Sequence, residues 1–357
     1  MKKWIWLVFL TLAVATVTVI SGFWQQPEKP KVMAKIQVEA PKPQPKAPAR
    51  VNEPLNLPQV SSDRLFSHLQ NLNFQRYTDR ERSRTRKYII EELQKIGWQP
   101  KLQKFDRGIN VFAERKGSNK DAGAILLAAH YDTVAKSPGA DDNASGVAVI
   151  LEIARLLGSQ KTPRTLQLAF FDQEESGLWG SKAFVAKKKN LDHLQGAIVM
   201  DMVGYACYTP GCQKYPQGLP ITPPGDTGNF LAVIGDTEHL PILHAFQRKI
   251  FPDQPLAEPL KSSSSKKSLP PIFALPVPLK GLLIPDTLRS DHAPFWLQGV
   301  GAVLVTDTAN LRTPHYHQLS DTPTNINRPF FAGSAQVITN ATAKLLNSTD
   351  SLATPET

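Results

Sequence analysis

Cysteine is scarce in this chain, with only Cys207 and Cys212 among 357 residues. No histidine lies near them in the sequence, so the pair cannot complete the four-ligand shell of a structural zinc site. A Pro-Gly turn separates the two cysteines, which leaves a disulfide and a pair of free thiols as alternatives. An oxidising compartment outside the cytoplasm would permit the disulfide.

A concentrated basic face is also missing, although the net charge is +10. Residues 1–60 hold eight Lys and Arg against three Glu, so half of the excess lies in a short N-terminal segment. A protein that binds nucleic acid usually gathers its basic residues on one face with aromatic platforms. We therefore expect no nucleic-acid partner, and we attribute the basic stretch to a neighbouring membrane.

An uncharged apolar run extends from Trp4 to Trp24. As a helix it would be about 32 Å long, close to the thickness of a bilayer core, with tryptophan at both interfaces. We predict a signal-anchor transmembrane helix at 1–24. A signal peptide cleaved after Ala13-Val14-Ala15 is the alternative. The anchored form would hold the domain on the periplasmic or extracellular face of the membrane, and the cleaved form would be secreted.

Beyond this run, the pattern predicts a Pro/Lys-rich linker at 25–60, a single domain at 61–348 and a disordered tail at 349–357. Helical segments with capping residues open the domain, and buried strand-like runs then alternate with helices. Such alternation is typical of a three-layer α/β/α fold around a mixed, largely parallel sheet. We expect the Pro- and Ser-rich segment from about 252 to 285 to be a mobile surface insertion.

Seven acidic and imidazole residues are candidates for a functional site, and most follow a strand-like run. They are His130, Asp132, Asp142, Glu174, Glu175, Asp201 and His317. Each has an ordinary alternative role: Asp142 could cap a helix, for example, and His317 could lie exposed in a turn. Together, however, carboxylates delivered by several buried strand ends would be costly without a counter-charge. The adjacent Glu174 and Glu175 would also repel each other.

A pair of cations would supply that counter-charge. Imidazole and carboxylate ligands suit zinc better than magnesium, and manganese or cobalt would also bind. We therefore predict two Zn²⁺ ions as cofactors, with Mn²⁺ or Co²⁺ as substitutes.

Several motifs occur in a characteristic order: HYD, PGADDNASG, EESGLWGS, the Asp of MDMVGY, RSDHAPFW and HQLSDT. In these motifs, from about 78 to 346, the sequence resembles the co-catalytic di-zinc exopeptidases related to bacterial leucyl aminopeptidases, which have glutaminyl cyclases as cousins. The resemblance implies metal ligands at His130, Asp142, Glu175, Asp201 and His317, with Asp142 shared between the two ions. It also implies Glu174 as the general base and Asp132 as the residue that orients His130.

Three further expectations come from the same resemblance. The peptide bond between Asp142 and Asn143 should be cis. The H-x-x-x-D-T spacing selects His317 rather than His315 as the ligand. His292 in RSDHAPFW should lie near the substrate pocket without binding metal.

The implied activity is removal of N-terminal amino acids from peptides or proteins by water that the two zinc ions activate. A carboxypeptidase or dipeptidase of the same family stays open as an alternative. So does a single-zinc aminoacyltransferase of the glutaminyl cyclase type. An inactive ectodomain that only binds a partner is a third alternative, but such proteins usually lose metal ligands and this chain retains the full set.

Overall fold

A computed structural model describes residues 57–219, 222–247 and 269–355. The predicted membrane anchor at 1–24 and the predicted linker as far as residue 56 lie outside the described residues. Within the described ranges, no helix combines the length and the apolar character needed to cross a bilayer.

Helices and strands alternate along the domain, as the apolar pattern predicts. The helices are α1 Ser62–Asn71, α2 Asp79–Lys95, α3 Gly146–Leu157, α4 Trp179–Val185, α5 Lys188–Leu191, α6 Leu240–His244, α7 Ala293–Leu297 and α8 Arg328–Asn347. The strands are β1 Lys101–Phe105, β2 Gly108–Arg115, β3 Ala124–His130, β4 Thr165–Phe171, β5 Leu194–Met200, β6 Leu231–Asp236, β7 Ile272–Val277 and β8 Ala302–Thr306.

The strands of the described residues form a single sheet in the order β1-β2-β4-β3-β5-β8-β6-β7. The central strands β4, β3, β5 and β8 are parallel to one another. On the flanks, β2 is antiparallel to β4 and β6 is antiparallel to β8, while β6 and β7 are parallel. The predicted mixed, largely parallel sheet is confirmed. Because the four central strands run in one direction, their carboxyl ends meet along one edge of the sheet.

Apolar side chains cover both faces of the sheet, which gives the three-layer arrangement. On one face, α1, α3 and α8 pack through residues such as Leu69, Ile150 and Phe331. On the other face, Phe184 of α4 and Phe295 and Trp296 of α7 pack against the strands. Strand β3 is buried along its whole length, as expected for the middle of a parallel sheet covered on both sides.

The first two helices begin where their capping residues predict. The Ser61 hydroxyl accepts a hydrogen bond from the backbone N–H of Arg64 at the start of α1. Thr78 and Glu81 form a reciprocal capping box at the start of α2. Both caps satisfy backbone N–H groups that have no partner inside the helix.

The structure corrects the predicted organisation at three places. Residues 272–277 fall in the predicted mobile insertion, but they form strand β7, which pairs with β6 in the sheet. The prolines of this segment had argued against a strand. The C-terminal segment predicted to be disordered packs on the domain as far as residue 355, because Leu352 is buried and Thr354 hydrogen-bonds to the turn before α6. The last predicted linker residues also contact the domain, since Gln336 of α8 bonds to the backbone of Pro58 and Val60.

Candidate metal centre

The carboxyl ends of three neighbouring parallel strands bring most of the candidate residues together. His130 is the last residue of β3, Glu174 and Glu175 follow β4, and Asp201 follows β5 directly. Since β4, β3 and β5 lie side by side in the sheet, these four side chains converge on one edge. This edge is the usual location of functional groups in an α/β sheet.

Two loops complete the cluster from outside the sheet. Asp142 lies in the irregular turn 140–145 that leads into α3, and its side chain is almost fully buried. The peptide bond from Asp142 to Asn143 is cis, as the resemblance predicts. His317 lies in the turn that precedes α8 and has a positive φ of 60°, which is uncommon for a residue other than glycine.

The side chains form two groups that share Asp142. In the first group, Nε2 of His130 lies 3.3 Å from Oδ1 of Asp142 and 3.6 Å from Oδ1 of Asp201. In the second group, Nε2 of His317 lies 3.2 Å from Oδ2 of Asp142 and 3.1 Å from Oε2 of Glu175. The two oxygens of Asp142 therefore face different groups, which is the arrangement of a carboxylate that bridges two cations.

The spacing and chemistry of these atoms fit zinc. Bonds of about 2.0–2.1 Å in tetrahedral geometry place ligand atoms about 3.3 Å apart, close to the four distances between the imidazole nitrogens and the carboxylate oxygens. Oε1 of Glu175 is buried without a hydrogen-bond partner in the described structure, and Nε2 of His317 lies beside two carboxylate oxygens without forming a hydrogen bond to either. Buried polar atoms rarely stay without a partner, so these two atoms indicate a missing ligand.

The electrostatics of the cluster reflect its crowded negative charge. Burial alone would lower the pKa of His130. Four neighbouring carboxyl groups instead raise this pKa well above its usual value, namely those of Glu174, Asp132, Asp142 and Asp201. Burial would likewise lower the pKa of His317, whereas its contacts with Asp142 and Glu175 raise it to about 10. The field that favours a proton on each imidazole would also favour a divalent cation in its place.

The two neighbouring glutamates differ in their surroundings. Burial and the Asp142 carboxylate raise the pKa of Glu175 to about 7, against the effect of His317. Burial also raises the pKa of Glu174 well above its usual value, against the effect of His130. The described structure shows no side-chain hydrogen bond or ion pair for Glu174, and its carboxyl group lies at the cleft. Glu175 thus contacts the ligand group, while Glu174 is available to a bound molecule.

Asp132 contacts both His130 and the glutamate loop. Its Oδ1 lies 3.6 Å from Nδ1 of His130, and the Asp132 carbonyl oxygen lies 3.3 Å from the same nitrogen. Its two carboxylate oxygens accept hydrogen bonds from the backbone N–H groups of Glu174 and Glu175. Asp132 therefore ties the end of β3 to the loop after β4, in addition to approaching the His130 ring.

His292 is fully buried beside this cluster and takes no part in either ligand group. Its Nε2 donates to the carbonyl oxygen of Thr287 at 2.7 Å, and burial lowers its pKa to about 4. Next to it, Asp291 is fully buried and both its carboxylate oxygens lack a hydrogen-bond partner in the described structure. Burial raises the pKa of Asp291 to about 7. The motif RSDHAPFW led to the prediction that His292 lies near the substrate pocket. Nothing in the sequence indicated that Asp291 is buried, which only the structure shows.

The alternative histidine, His315, lies outside the cluster. Its Nδ1 approaches the Ser320 hydroxyl at 2.9 Å. Tyr316 stacks on His317 with ring centroids 3.7 Å apart and accepts a hydrogen bond from Arg289. Tyr316 and Arg289 were not among the predicted site residues, and both line the cleft.

A cleft opens directly beside the cluster, and Asp142, Glu175 and His317 are part of its lining. Its apolar wall comes mainly from the last three strands of the sheet order: Ala232, Ile234, Phe273, Leu275 and Leu304, joined by Leu219. Gln213, Lys214 and Tyr215 form another wall. This second wall follows a disulfide between Cys207 and Cys212, so the cysteines are bonded rather than free.

Known proteins share parts of this sequence and its fold. The model of peptidase family M28 matches residues 110–221. The uncharacterised protein YfbL of Escherichia coli K12 is 31% identical over 241 residues, which cover 64% of this chain and 68% of YfbL. The aminopeptidase YwaD of Bacillus subtilis is 39% identical over 98 residues, but these cover only 27% of this chain and 22% of YwaD.

Among solved structures, an aminopeptidase from Aneurinibacillus sp. strain AM-1 superposes with a TM-score of 0.58. The alignment covers 84% of this chain and 95% of that protein at 16% identity, which shows a common fold. The motifs, the fold and the match to 68% of YfbL all agree with membership of this family. The chain therefore belongs to peptidase family M28, in agreement with the metal-dependent peptidase predicted from its motifs.

Proposed function

We propose that this protein is a two-zinc aminopeptidase that removes single residues from the N-terminus of peptides. The observation that carries the proposal is the pair of three-residue ligand groups that share Asp142, with Glu174 beside them in the lining of a cleft. His130, Asp142 and Asp201 would hold one ion, and Asp142, Glu175 and His317 would hold the other. Such a pair of ions, when bound, lowers the pKa of a water molecule and polarises a carbonyl group.

The protein side chains have distinct tasks in this reaction. Glu174 accepts the proton of the attacking water and passes it to the departing amine. Its burial and raised pKa suit a group that must hold a proton between these two steps. Asp132 orients the His130 ring and, through the backbone of Glu174 and Glu175, fixes the glutamates relative to β3.

The acidic surroundings support recognition of a free amino terminus. The α-ammonium group of a peptide is positively charged, and Glu174, Glu175 and Asp201 all line the cleft. The apolar wall of the cleft would then receive the first side chain of the peptide.

A panel of matched peptides tests this proposal. Each peptide is prepared with a free or acetylated N-terminus and with a free or amidated C-terminus, and incubated with chelator-treated protein before and after zinc is restored. We expect zinc-dependent release of the first residue from every free-amine peptide, whichever C-terminus it has. Cleavage that persists in acetylated peptides but requires a free C-terminus would show a carboxypeptidase. Release of ammonia from peptides that begin with glutamine, without cleavage of any peptide bond, would show a glutaminyl cyclase-type reaction.

A further inference from the structure

A buried arginine that was not among the predicted site residues contacts the loop that carries Asp142, the shared ligand. Arg76 is 1% exposed and comes from the segment between α1 and α2, far from Asp142 in the sequence. Its side chain donates only to backbone carbonyl oxygens. These belong to Leu72, Phe74, Tyr131, Pro138, Gly139 and Asp142, at distances from 2.6 to 3.4 Å.

Three of these carbonyl groups belong to the loop that carries Asp142. The guanidinium group approaches the carbonyl oxygens of Pro138 at 2.6 Å, Gly139 at 2.7 Å and Asp142 at 3.4 Å. Space here is so limited that a Cβ atom on Gly139 would lie 2.6 Å from a guanidinium nitrogen of Arg76. Gly139 also has a φ of +62°, so the loop conformation itself favours glycine at this position.

The N–H groups of the same loop are bound from another segment by an acid. The Asp321 carboxylate accepts from the backbone N–H of Asp141 at 2.8 Å and of Asp142 at 3.0 Å. The backbone carbonyl of Asp321 accepts from the N–H of Ala140 at 3.1 Å. Asp321 lies four residues after His317, so it also belongs to the turn that carries that histidine.

We infer that Arg76 and Asp321 are positioning residues that hold the Asp142 loop through its carbonyl groups and its N–H groups, respectively, and so set the geometry of metal binding. A cation binds the carbonyl groups of the loop, and an anion binds its amide groups. Hydrogen bonds to charged groups are stronger than those between neutral groups. Loss of the Asp321 carboxylate would leave the buried N–H groups of Asp141 and Asp142 without their acceptor. Neither residue belongs to a ligand group or lines the cleft. The inference rests on the two-zinc site proposed above and adds the residues that keep its shared ligand in place.

Lysine at position 76 tests the arginine. Arg76→Lys keeps the positive charge, but an ammonium group has three donors and cannot reproduce the planar fork that spans the carbonyl groups. Changes to groups that orient metal ligands typically lower metal affinity about 10- to 100-fold. We expect a zinc affinity at least about tenfold weaker in Arg76→Lys and in Asp321→Asn. Zinc alone is titrated into the full-length apoprotein in competition with a chromophoric chelator, so the readout does not require peptidase activity.

The chain offers a matched control in Arg164, which is also 1% exposed. Its side chain likewise donates to backbone carbonyl oxygens, those of Ala122, Leu345 and Asp350, but it lies just before β4 at the opposite edge of the sheet. We expect Arg164→Lys to lower the thermal unfolding temperature to an extent similar to Arg76→Lys while leaving zinc affinity unchanged. Thr133→Val is a milder change near the site, because it removes only the acceptor for the Arg76 backbone N–H at 2.9 Å, and it serves if Arg76→Lys does not fold.

The outcomes separate this inference from the proposed function. The inference is supported if Asp321→Asn binds zinc more weakly and Arg76→Lys, or Thr133→Val in its place, does so too. Arg164→Lys should bind zinc as the wild type does. Equal zinc affinity in wild type and all folded variants overturns it while leaving the two-zinc site intact. A wild-type protein that binds no zinc would instead contradict the proposed function. Cobalt-substituted protein gives a second readout, since altered ligand geometry at the bridging carboxylate would change its visible absorption spectrum.

Discussion

Glu174 and Glu175 are adjacent in the chain, yet the fold gives their carboxyl groups different partners. Glu175 reaches His317 at 3.1 Å and belongs to a ligand group. Glu174 has no comparable contact and faces the cleft. This difference assigns them separate roles in our proposal, with Glu175 holding metal and Glu174 moving the proton.

Replacing each glutamate by glutamine should therefore have different effects. Glu174→Gln keeps the size of the side chain but cannot accept a proton, so we expect kcat to fall at least about 100-fold with the zinc content unchanged. Glu175→Gln is the matched comparison, and it should lower the zinc content as well as the activity. Zinc is measured by elemental analysis beside the kinetics. Near-normal activity in Glu174→Gln would remove this residue from the mechanism.

His292 allows a test by pH, because burial lowers its pKa to about 4 in the folded protein. Its ordinary value in an unfolded chain is about 6.5, so the unfolded state binds the proton first as the pH falls. Between about pH 6.5 and pH 4 this residue alone should reduce the free energy of unfolding by at most about 3 kcal/mol.

The measurement compares urea unfolding of wild type and His292→Asn across that pH range. Asparagine can still donate to the carbonyl oxygen of Thr287 but does not titrate, so the stability of the variant should fall less steeply with decreasing pH. Other titrating groups contribute to both proteins and cancel in the difference. Parallel curves would show that His292 is not held neutral by the fold.

At the scale of elements, α2 connects the N-terminal part of the domain with the strand that carries the glutamates. Arg82 and Arg86 on this helix form ion pairs with the buried Asp172, which follows β4 directly. Asp172 also accepts a hydrogen bond from the backbone N–H of Ile109 in β2. The helix thus stabilises the end of β4 two residues before Glu174.

The capping box of α2 should contribute to stability without affecting the metal centre. Thr78→Ala removes the hydroxyl that accepts from the N–H of Glu81, and such a loss typically costs about 1 kcal/mol. Thr78→Ser keeps the hydroxyl and is the control. We expect urea unfolding to show the destabilisation only in the alanine variant, with zinc content equal in both. A loss of zinc in Thr78→Ala would mean that the start of α2 supports the site more directly than its contacts indicate.

Sequence reasoning succeeded where an apolar run ends in a polar residue. The strands before His130, Glu174 and Asp201 end in the apolar runs AILLAA, LAFF and AIVM, so their positions and the meeting of their carboxyl ends could be predicted. Strand β1 gave no such signal, since Lys101–Phe105 is mostly polar and Leu102 is 49% exposed. The roles of Arg76 and Asp321 were equally hidden, because they depend on contacts between segments that are distant in the sequence.

At the scale of the whole molecule, the position of the protein in the cell stays a prediction. The apolar segment at 1–24 lies outside the described residues. The Cys207–Cys212 disulfide is the kind of bond that persists in exported proteins. It agrees with a domain on the outer side of a membrane, tethered by the Pro/Lys-rich linker.

In our proposal, one edge of the sheet assembles two metal sites around the shared carboxylate of Asp142. Anomalous X-ray diffraction from crystals of the zinc-loaded protein, collected at the zinc absorption edge, would locate both ions. We predict two anomalous peaks, one bonded to His130 and Asp201 and the other to Glu175 and His317, with Asp142 bonded to both. A single peak, or two peaks with Asp142 bound to only one of them, would show that Asp142 does not bridge two zinc ions.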